Sequence, residues 1–132
     1  MTRYVIDPDV ALALAEQEAL IPTHHQLVAP ALLRSQVLSQ LFGEVQSGRL
    51  IRKEADRRLD YLRSLRIRLL GDRVLQQTAW RVAEDLGLND TFQAEYVALT
   101  KLQADALVTR DAELTRVASK LVSVASMDDL WG

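Results

Sequence analysis

The sequence contains no cysteine, few aromatic residues and no long apolar run. The absence of cysteine excludes disulfide bonds, zinc–thiolate sites and catalysis by a thiol. The aromatic content of only 5%, beside 48% hydrophobic residues, favours a core of aliphatic side chains. No apolar run approaches the length needed to cross a bilayer, and the N-terminus lacks the basic and apolar regions of a signal peptide. We therefore expect a cytoplasmic protein without a membrane segment.

The residues that are present fit one compact domain, because 132 residues suffice for a single core. We expect that domain to span residues 1–132. The net charge is −2, yet nine of the 16 Lys and Arg residues lie within residues 49–73. This local excess could face phosphates. Pairs at helical spacing, such as Arg52 and Asp56, instead favour a solvated helix face with internal ion pairs, and we prefer that interpretation.

Short apolar runs alternate with longer helical patterns, which is typical of a parallel sheet with crossover helices. The predicted strands are residues 4–6, 26–29, 67–70, 106–109 and 121–124. The predicted helices are residues 10–20, 30–47, 52–65, 74–86 and 90–102, with a short one beginning at Asp111. The pattern therefore predicts an α/β fold.

Several local features set the expected helix starts and the core. The expected starts are Asp9 as the cap of the first helix, Pro30 in the first turn of the second, and Asn89 or Asp90 as the cap of the fifth. Trp80 and Tyr96 are large aromatic residues within predicted helices, and we interpret both as lying on apolar helix faces. We expect both in the core rather than as platforms for stacked bases.

Two acidic residues follow predicted strands that lie far apart in the sequence. Asp7 follows the first strand, and Asp111 comes just beyond Thr109, at the end of the fourth. Ligands of open parallel sheets gather at the carboxyl ends of the strands. Carboxylates meeting there suit Mg²⁺ or Mn²⁺, which can activate water for displacement at phosphorus. The alternative, to which we give equal weight, is that each acid only caps the following helix.

Four segments resemble those of PIN domains, the ribonucleases of bacterial toxin–antitoxin pairs. They are residues 4–7, with an acid after a short apolar run, residues 27–37, residues 90–99, and residues 107–111, with a hydroxyl residue before an acid. The segments occur in the family's order and span nearly the whole chain. The resemblance implies a three-layer α/β/α domain with a central, mainly parallel sheet of five strands.

The resemblance also implies the site residues. Asp7 matches the family's first acid and Asp111 its fourth, whereas Gln36 stands at a usual glutamate and Gln93 at a usual aspartate. Glutamine keeps an oxygen but loses the charge, so we expect weakly bound Mg²⁺ or Mn²⁺ and the loss of a second metal. Asp90, one turn before Gln93, is a further candidate ligand, with helix capping as the favoured alternative.

As to function, the resemblance implies a VapC-like toxin, a metal-dependent endoribonuclease that cleaves RNA phosphodiester bonds. It also implies a small VapB-like antitoxin as partner, and a homodimer. The two glutamines leave open a second hypothesis, a catalytically impaired domain that binds RNA or protein. A third hypothesis rests on a second, weaker resemblance, that of residues 7–10 to the first motif of haloacid-dehalogenase-type phosphatases. The acid pair that those enzymes need further along the chain is incomplete here, since Arg73 follows Asp72.

Overall fold

The computed structural model describes residues 1–131 and contains five strands and six α-helices within them. The strands are β1 (Thr2–Ile6), β2 (His25–Pro30), β3 (Ile67–Leu70), β4 (Ala106–Val108) and β5 (Val124–Ala125). The helices are α1 (Pro8–Gln17), α2 (Leu32–Gln46), α3 (Arg52–Ser64), α4 (Arg73–Leu86), α5 (Phe92–Gln103) and α6 (Ala112–Ala118), followed by a 3-10 turn at Met127–Leu130. No helix within residues 1–131 is long and apolar enough to span a membrane.

The five strands form one sheet in the order β3-β2-β1-β4-β5, and all four strand pairs are parallel. From β1 the chain adds β2 and then β3 on one side. It then returns to the other side of β1 with β4 and β5. The direction of winding therefore reverses between β1 and β4, where an open parallel sheet leaves a crevice at its carboxyl edge.

Helices cover both faces of the sheet. Right-handed crossovers place the helices that connect β1, β2 and β3 on one face and those that lead to β4 and β5 on the other. The packing agrees, because α1 contacts α2 and α3, whereas α4 packs on α5 and α5 lies against β1, β2 and β4. The expected three-layer α/β/α architecture with a five-stranded parallel sheet is confirmed.

The two central strands supply the middle of the core. Val5 and Ile6 of β1 and Leu107 and Val108 of β4 are completely buried. Strands covered by helices on both faces read as continuous apolar runs rather than as alternating patterns. These runs hold β1 and β4 side by side, and so fix the residues that follow each strand.

Four local expectations were wrong. The N-cap of α5 is Thr91 rather than Asn89 or Asp90. Asp7, not Asp9, caps α1, because Pro8 already occupies its first turn. Pro30 is the last residue of β2 rather than the start of α2, since it pairs with Leu70 of β3 and the next residue, Ala31, donates its N–H to the Leu70 carbonyl. The last strand is β5 rather than residues 121–124, because the run begins in a turn bonded to the carbonyl of Ala118.

The side chain of Trp80 is 65% exposed, so the expectation of a core position was wrong for it and right for the buried Tyr96. The ion pairs expected within the basic stretch are present. Along α3, arginines pair with acids three or four residues away, as Arg52 does with Asp56 at 3.0 Å.

Candidate active site

Two helix caps place carboxylates at the crevice between β1 and β4. Asp7 follows β1 directly, and its Oδ1 accepts the backbone N–H of Val10 at 2.9 Å. Asp111 follows β4, and its Oδ1 accepts the backbone N–H of Leu114 at 2.9 Å. Because β1 and β4 are parallel neighbours, the two carboxylates lie at the same edge of the sheet.

Thr109 connects the two acids. Its buried hydroxyl donates to Asp7 Oδ2 at 2.5 Å and accepts the backbone N–H of Asp111 at 3.1 Å. One hydroxyl thus uses both its donor and an acceptor position, which fixes the Asp7 carboxylate relative to the start of α6. This contact gives Thr109 a role beyond the strand preference of a β-branched residue.

A cavity of about 360 Å³ opens at this edge of the sheet. All four predicted site residues line it. Asp7 and Asp111 follow β1 and β4, Gln36 belongs to α2 and Gln93 to α5. The rest of the lining consists of Pro8, Asp9, Gln40, Tyr96, Arg110 and Leu114. The structure therefore brings the four predicted side chains together, while their roles in catalysis and metal binding stay predictions.

Asp90 does not lie with them. It is absent from the cavity lining, and its Oδ1 accepts the backbone N–H of Phe92 at 3.0 Å at the start of α5. Thr91 occupies the N-cap position of that helix without a side-chain bond. Asp90 therefore contacts the backbone one residue beyond the cap position, and its role as a metal ligand stays a prediction.

Tyr96 orients one of the two glutamines. Its hydroxyl donates to Gln36 Oε1 at 2.5 Å, from α5 across to α2. Burial, with smaller contributions from the charges of Asp7 and Glu95, raises the pKa of the Tyr96 hydroxyl, which therefore stays a proton donor. From the sequence, Tyr96 was expected only in the core. Its position one turn after Gln93 was the signal that it could also face the cavity.

Asp7 is the most buried acidic residue of the cavity lining, with only 6% of its surface exposed. Burial raises the pKa of this carboxyl, and the nearby charges of Asp9 and Asp111 raise it further. The hydrogen bonds from Thr109 and Val10 act in the opposite direction. A cation at this position would relieve the cost of burying the ionised carboxylate.

The donor set fits one hard cation. No group of three or more His, Cys, Asp or Glu residues within the described chain could hold a metal ion. Two carboxylates with amide oxygens nearby nevertheless meet the need of Mg²⁺, which is often held by one or two carboxylates with water and phosphate completing its shell. Asp7 and Asp111 are the residues that would hold such an ion, and the number of ions stays a prediction.

Arg110 and Asp9 also line the cavity, and neither was predicted as a site residue. Arg110 Nε donates to Asp9 Oδ2 at 3.0 Å, across 101 positions of the chain. Only the position of Arg110 directly before Asp111 hinted at it, since a contact at this separation leaves no local pattern.

No protein-family model and no curated protein matches the sequence. Solved structures do match. The chain is similar to PAE2754 from Pyrobaculum aerophilum, with a TM-score of 0.79 and 26% identity over 98% of this chain and 93% of that one. It is also similar to a chain of VapBC2 from Rickettsia felis bound to a DNA fragment from their promoter, with a TM-score of 0.63 and 11% identity over 94% and 98%. The fold is PIN-like. The resemblance of residues 7–10 to phosphatases of another fold thereby loses its basis.

Proposed function

We propose that this chain is a PIN-type endoribonuclease that cleaves RNA phosphodiester bonds with a single, weakly bound Mg²⁺ or Mn²⁺ ion. The observation that carries the proposal is the convergence of Asp7 and Asp111 on one cavity, joined by Thr109 and faced by Gln36 and Gln93. A PIN-like fold supports the same assignment, although the fold alone does not specify an activity.

Each side chain has a distinct task in this proposal. A bound divalent ion supplies an activated water and neutralises charge that develops at phosphorus. Asp7 and Asp111 would hold the ion, and Thr109 keeps the Asp7 carboxylate in position. Gln36 has its amide oxygen occupied by Tyr96, so its NH₂ group is the part that can donate to water or phosphate oxygen. Gln93 lines the cavity from α5 and orients water there.

The test combines RNA cleavage with calorimetric titration of Mn²⁺, using Asp7→Asn and Asp111→Asn. We expect one Mn²⁺ per chain in the wild type. Each variant should lose more activity than the roughly 10- to 100-fold that removal of an outer-sphere partner costs. Asp72→Asn is the matched control, because Asp72 caps α4 through Leu75 at 2.9 Å and does not line the cavity. Cleavage that survives both site variants would contradict the proposal.

A second variant tests the place of the glutamines. Gln36→Glu combined with Gln93→Asp adds two charges around the same cavity, so the affinity for Mn²⁺ should rise. In Gln36→Glu the hydroxyl of Tyr96 can still donate, now to a carboxylate. An unchanged titration would show that these side chains do not face the ion.

The alternative is a PIN-like domain that binds RNA or protein without cleaving. Two observations favour it, namely the neutral amides at two acidic positions of the family and the absence, within residues 1–131, of a group of three or more potential metal ligands. Binding of RNA with an affinity that does not depend on Mn²⁺, and with no cleavage under any metal, would decide for this alternative.

Partners and location follow from the first proposal. The Rickettsia felis structure contains VapBC2 bound to promoter DNA. By analogy we propose a VapB-like antitoxin as the partner of this chain, a homodimeric assembly and a cytoplasmic location. An arginine of such an antitoxin would suit the acidic cavity in place of the metal ion. Co-expression with the product of a short adjacent reading frame, followed by co-purification and loss of cleavage, tests the pairing.

A further inference from the structure

Arg110 is held at the cavity by a single exposed contact. The side chain is 51% exposed, its Asp9 partner is 59% exposed, and the bond runs from Nε to Asp9 Oδ2 at 3.0 Å. This is the one hydrogen bond found for its guanidinium within residues 1–131. Exposed ion pairs of this kind contribute little to stability, so Arg110 can exchange its partner at low cost.

Within the described chain, Arg110 is the only cationic side chain among the charged residues that line the cavity. Three carboxylates, those of Asp7, Asp9 and Asp111, face one cationic side chain, Arg110, which leaves a formal charge of −2. One divalent cation brings the sum to zero. A phosphodiester then brings the sum to −1, and among residues 1–131 Arg110 is the only cationic residue of the lining that can contact the phosphate.

We propose that Arg110 is a substrate-binding residue that leaves Asp9 to bind an RNA phosphate adjacent to the cleaved bond. This inference rests on the proposed nuclease function. The planar guanidinium can make two parallel hydrogen bonds to phosphate. The side chain reaches the cavity, because its Nε donates to Asp9, which also lines it. While no RNA is bound, the hydrogen bond to Asp9 holds Arg110 away from Asp7 and Asp111.

A second cavity continues the path past Arg110. It measures about 350 Å³ and shares Asp9, Gln40 and Arg110 with the first. Its wall also carries Arg49 and Arg58 opposite Glu16 and Glu44, so its charges balance and it does not by itself attract phosphate. Arg110 lines both cavities, so an RNA strand that passed from one to the other would contact it.

The experiment measures binding of a fluorescein-labelled single-stranded RNA by anisotropy, in EDTA and at several KCl concentrations. Arg110→Ala should weaken binding about tenfold, as loss of a charged hydrogen bond does. It should also reduce the slope of log affinity against log salt by about 0.7, the value for one phosphate contact on a single strand. Arg116→Ala is the matched control, because Arg116 forms an exposed pair with Glu113 in α6 and does not line the cavity.

Two further variants separate charge from geometry and test the exchange with Asp9. Arg110→Lys keeps the charge and should keep the salt slope, while it loses the paired hydrogen bonds and part of the affinity. Asp9→Asn removes the competing carboxylate and should tighten RNA binding. Weaker binding by Asp9→Asn would instead mean that Asp9 positions the arginine, and would overturn the exchange.

The outcomes distinguish this inference from the proposed function. RNA binding that responds to Arg110→Ala supports the inference even where the wild type cleaves nothing, in which case only the nuclease proposal fails. The same affinity and salt slope for Arg110→Ala and Arg116→Ala would overturn the inference, whether or not the protein cleaves. So would an Arg110→Ala variant that loses a protein partner but binds RNA like the wild type.

Discussion

Replacing Asp7 by asparagine is expected to stabilise the metal-free protein, and the gain should grow as the pH rises. Asp7 is 6% exposed, and burial is the main reason why the pKa of its carboxyl is raised above 3.8. The folded protein therefore binds the Asp7 proton more tightly than the unfolded chain does. Asparagine keeps an oxygen for the N–H of Val10 but carries no charge that must be buried.

The size of the effect follows from proton linkage. Below pH 3.8 the carboxyl is protonated in both states and contributes no pH dependence. Between 3.8 and the raised pKa of the folded state, the folded protein holds the extra proton, so the free energy of unfolding falls with rising pH. The limiting slope is about 1.4 kcal/mol per pH unit for one group. Above the folded pKa the whole penalty is present, and the advantage of the asparagine variant reaches its plateau.

The assay is urea unfolding of the wild type and Asp7→Asn between pH 3 and pH 8 in the presence of a chelator. The informative quantity is the difference in unfolding free energy at each pH, because other titrating groups cancel in it. Asp72→Asn again serves as the control, since it changes an exposed helix cap in the same way. A difference that stays constant, or that shrinks as the pH rises, would refute the buried-charge argument and show that Thr109 and the start of α1 outweigh the burial.

Three further substitutions test the fold by urea unfolding at neutral pH. Leu107→Ala, in a fully buried position of β4, should cost about 2–5 kcal/mol, and a loss below about 1 kcal/mol would contradict its place in the core. Trp80→Ala should change stability by no more than about 0.5 kcal/mol, because Trp80 is exposed on α4, and a larger loss would restore the original core assignment. His25→Phe should stabilise by about 1 kcal/mol, because neither buried ring nitrogen of His25 has a hydrogen-bond partner within residues 1–131; a destabilised variant would show that one has.

Local sequence patterns were sufficient for most of the fold. The strand at residues 67–70 coincides with β3, and the helix predicted for residues 74–86 ends at Leu86, followed by Gly87 in the left-handed region at φ 67°. Apolar periodicity and turn residues are properties of short segments, so a single sequence displays them. The prediction that Pro30 begins α2 was wrong because this residue pairs with Leu70 of β3, which lies 40 positions further along the chain.

The error at Trp80 has a physical origin in the pattern of α4. The buried residues Leu75, Ala79, Val82 and Ala83 define a stripe at helical spacing, and Trp80 lies off that stripe. The apolar character of the indole suggested burial, whereas its spacing indicated exposure. For this helix, the spacing was the better guide.

The site was predictable only in part, and the division follows sequence separation. Asp7, Gln36, Gln93 and Asp111 could be named because each matched a segment of a known family. The contacts that complete the cavity could not. Tyr96 reaches Gln36 across 60 positions and Arg110 reaches Asp9 across 101, and neither contact has a local signature.

In the structure, helix capping and a place in the cavity are compatible for Asp7 and Asp111. Helix capping and a role in a metal site were treated as alternatives, yet Asp7 caps α1 and Asp111 caps α6 while both line the cavity. An acid that follows a parallel strand and precedes a helix lies at the carboxyl edge of the sheet in either case. Capping uses Oδ1 of each carboxylate, so a capping bond neither supports nor opposes a functional role. The neighbours decide instead, and here they are a second carboxylate, a shared threonine hydroxyl and an exchangeable arginine.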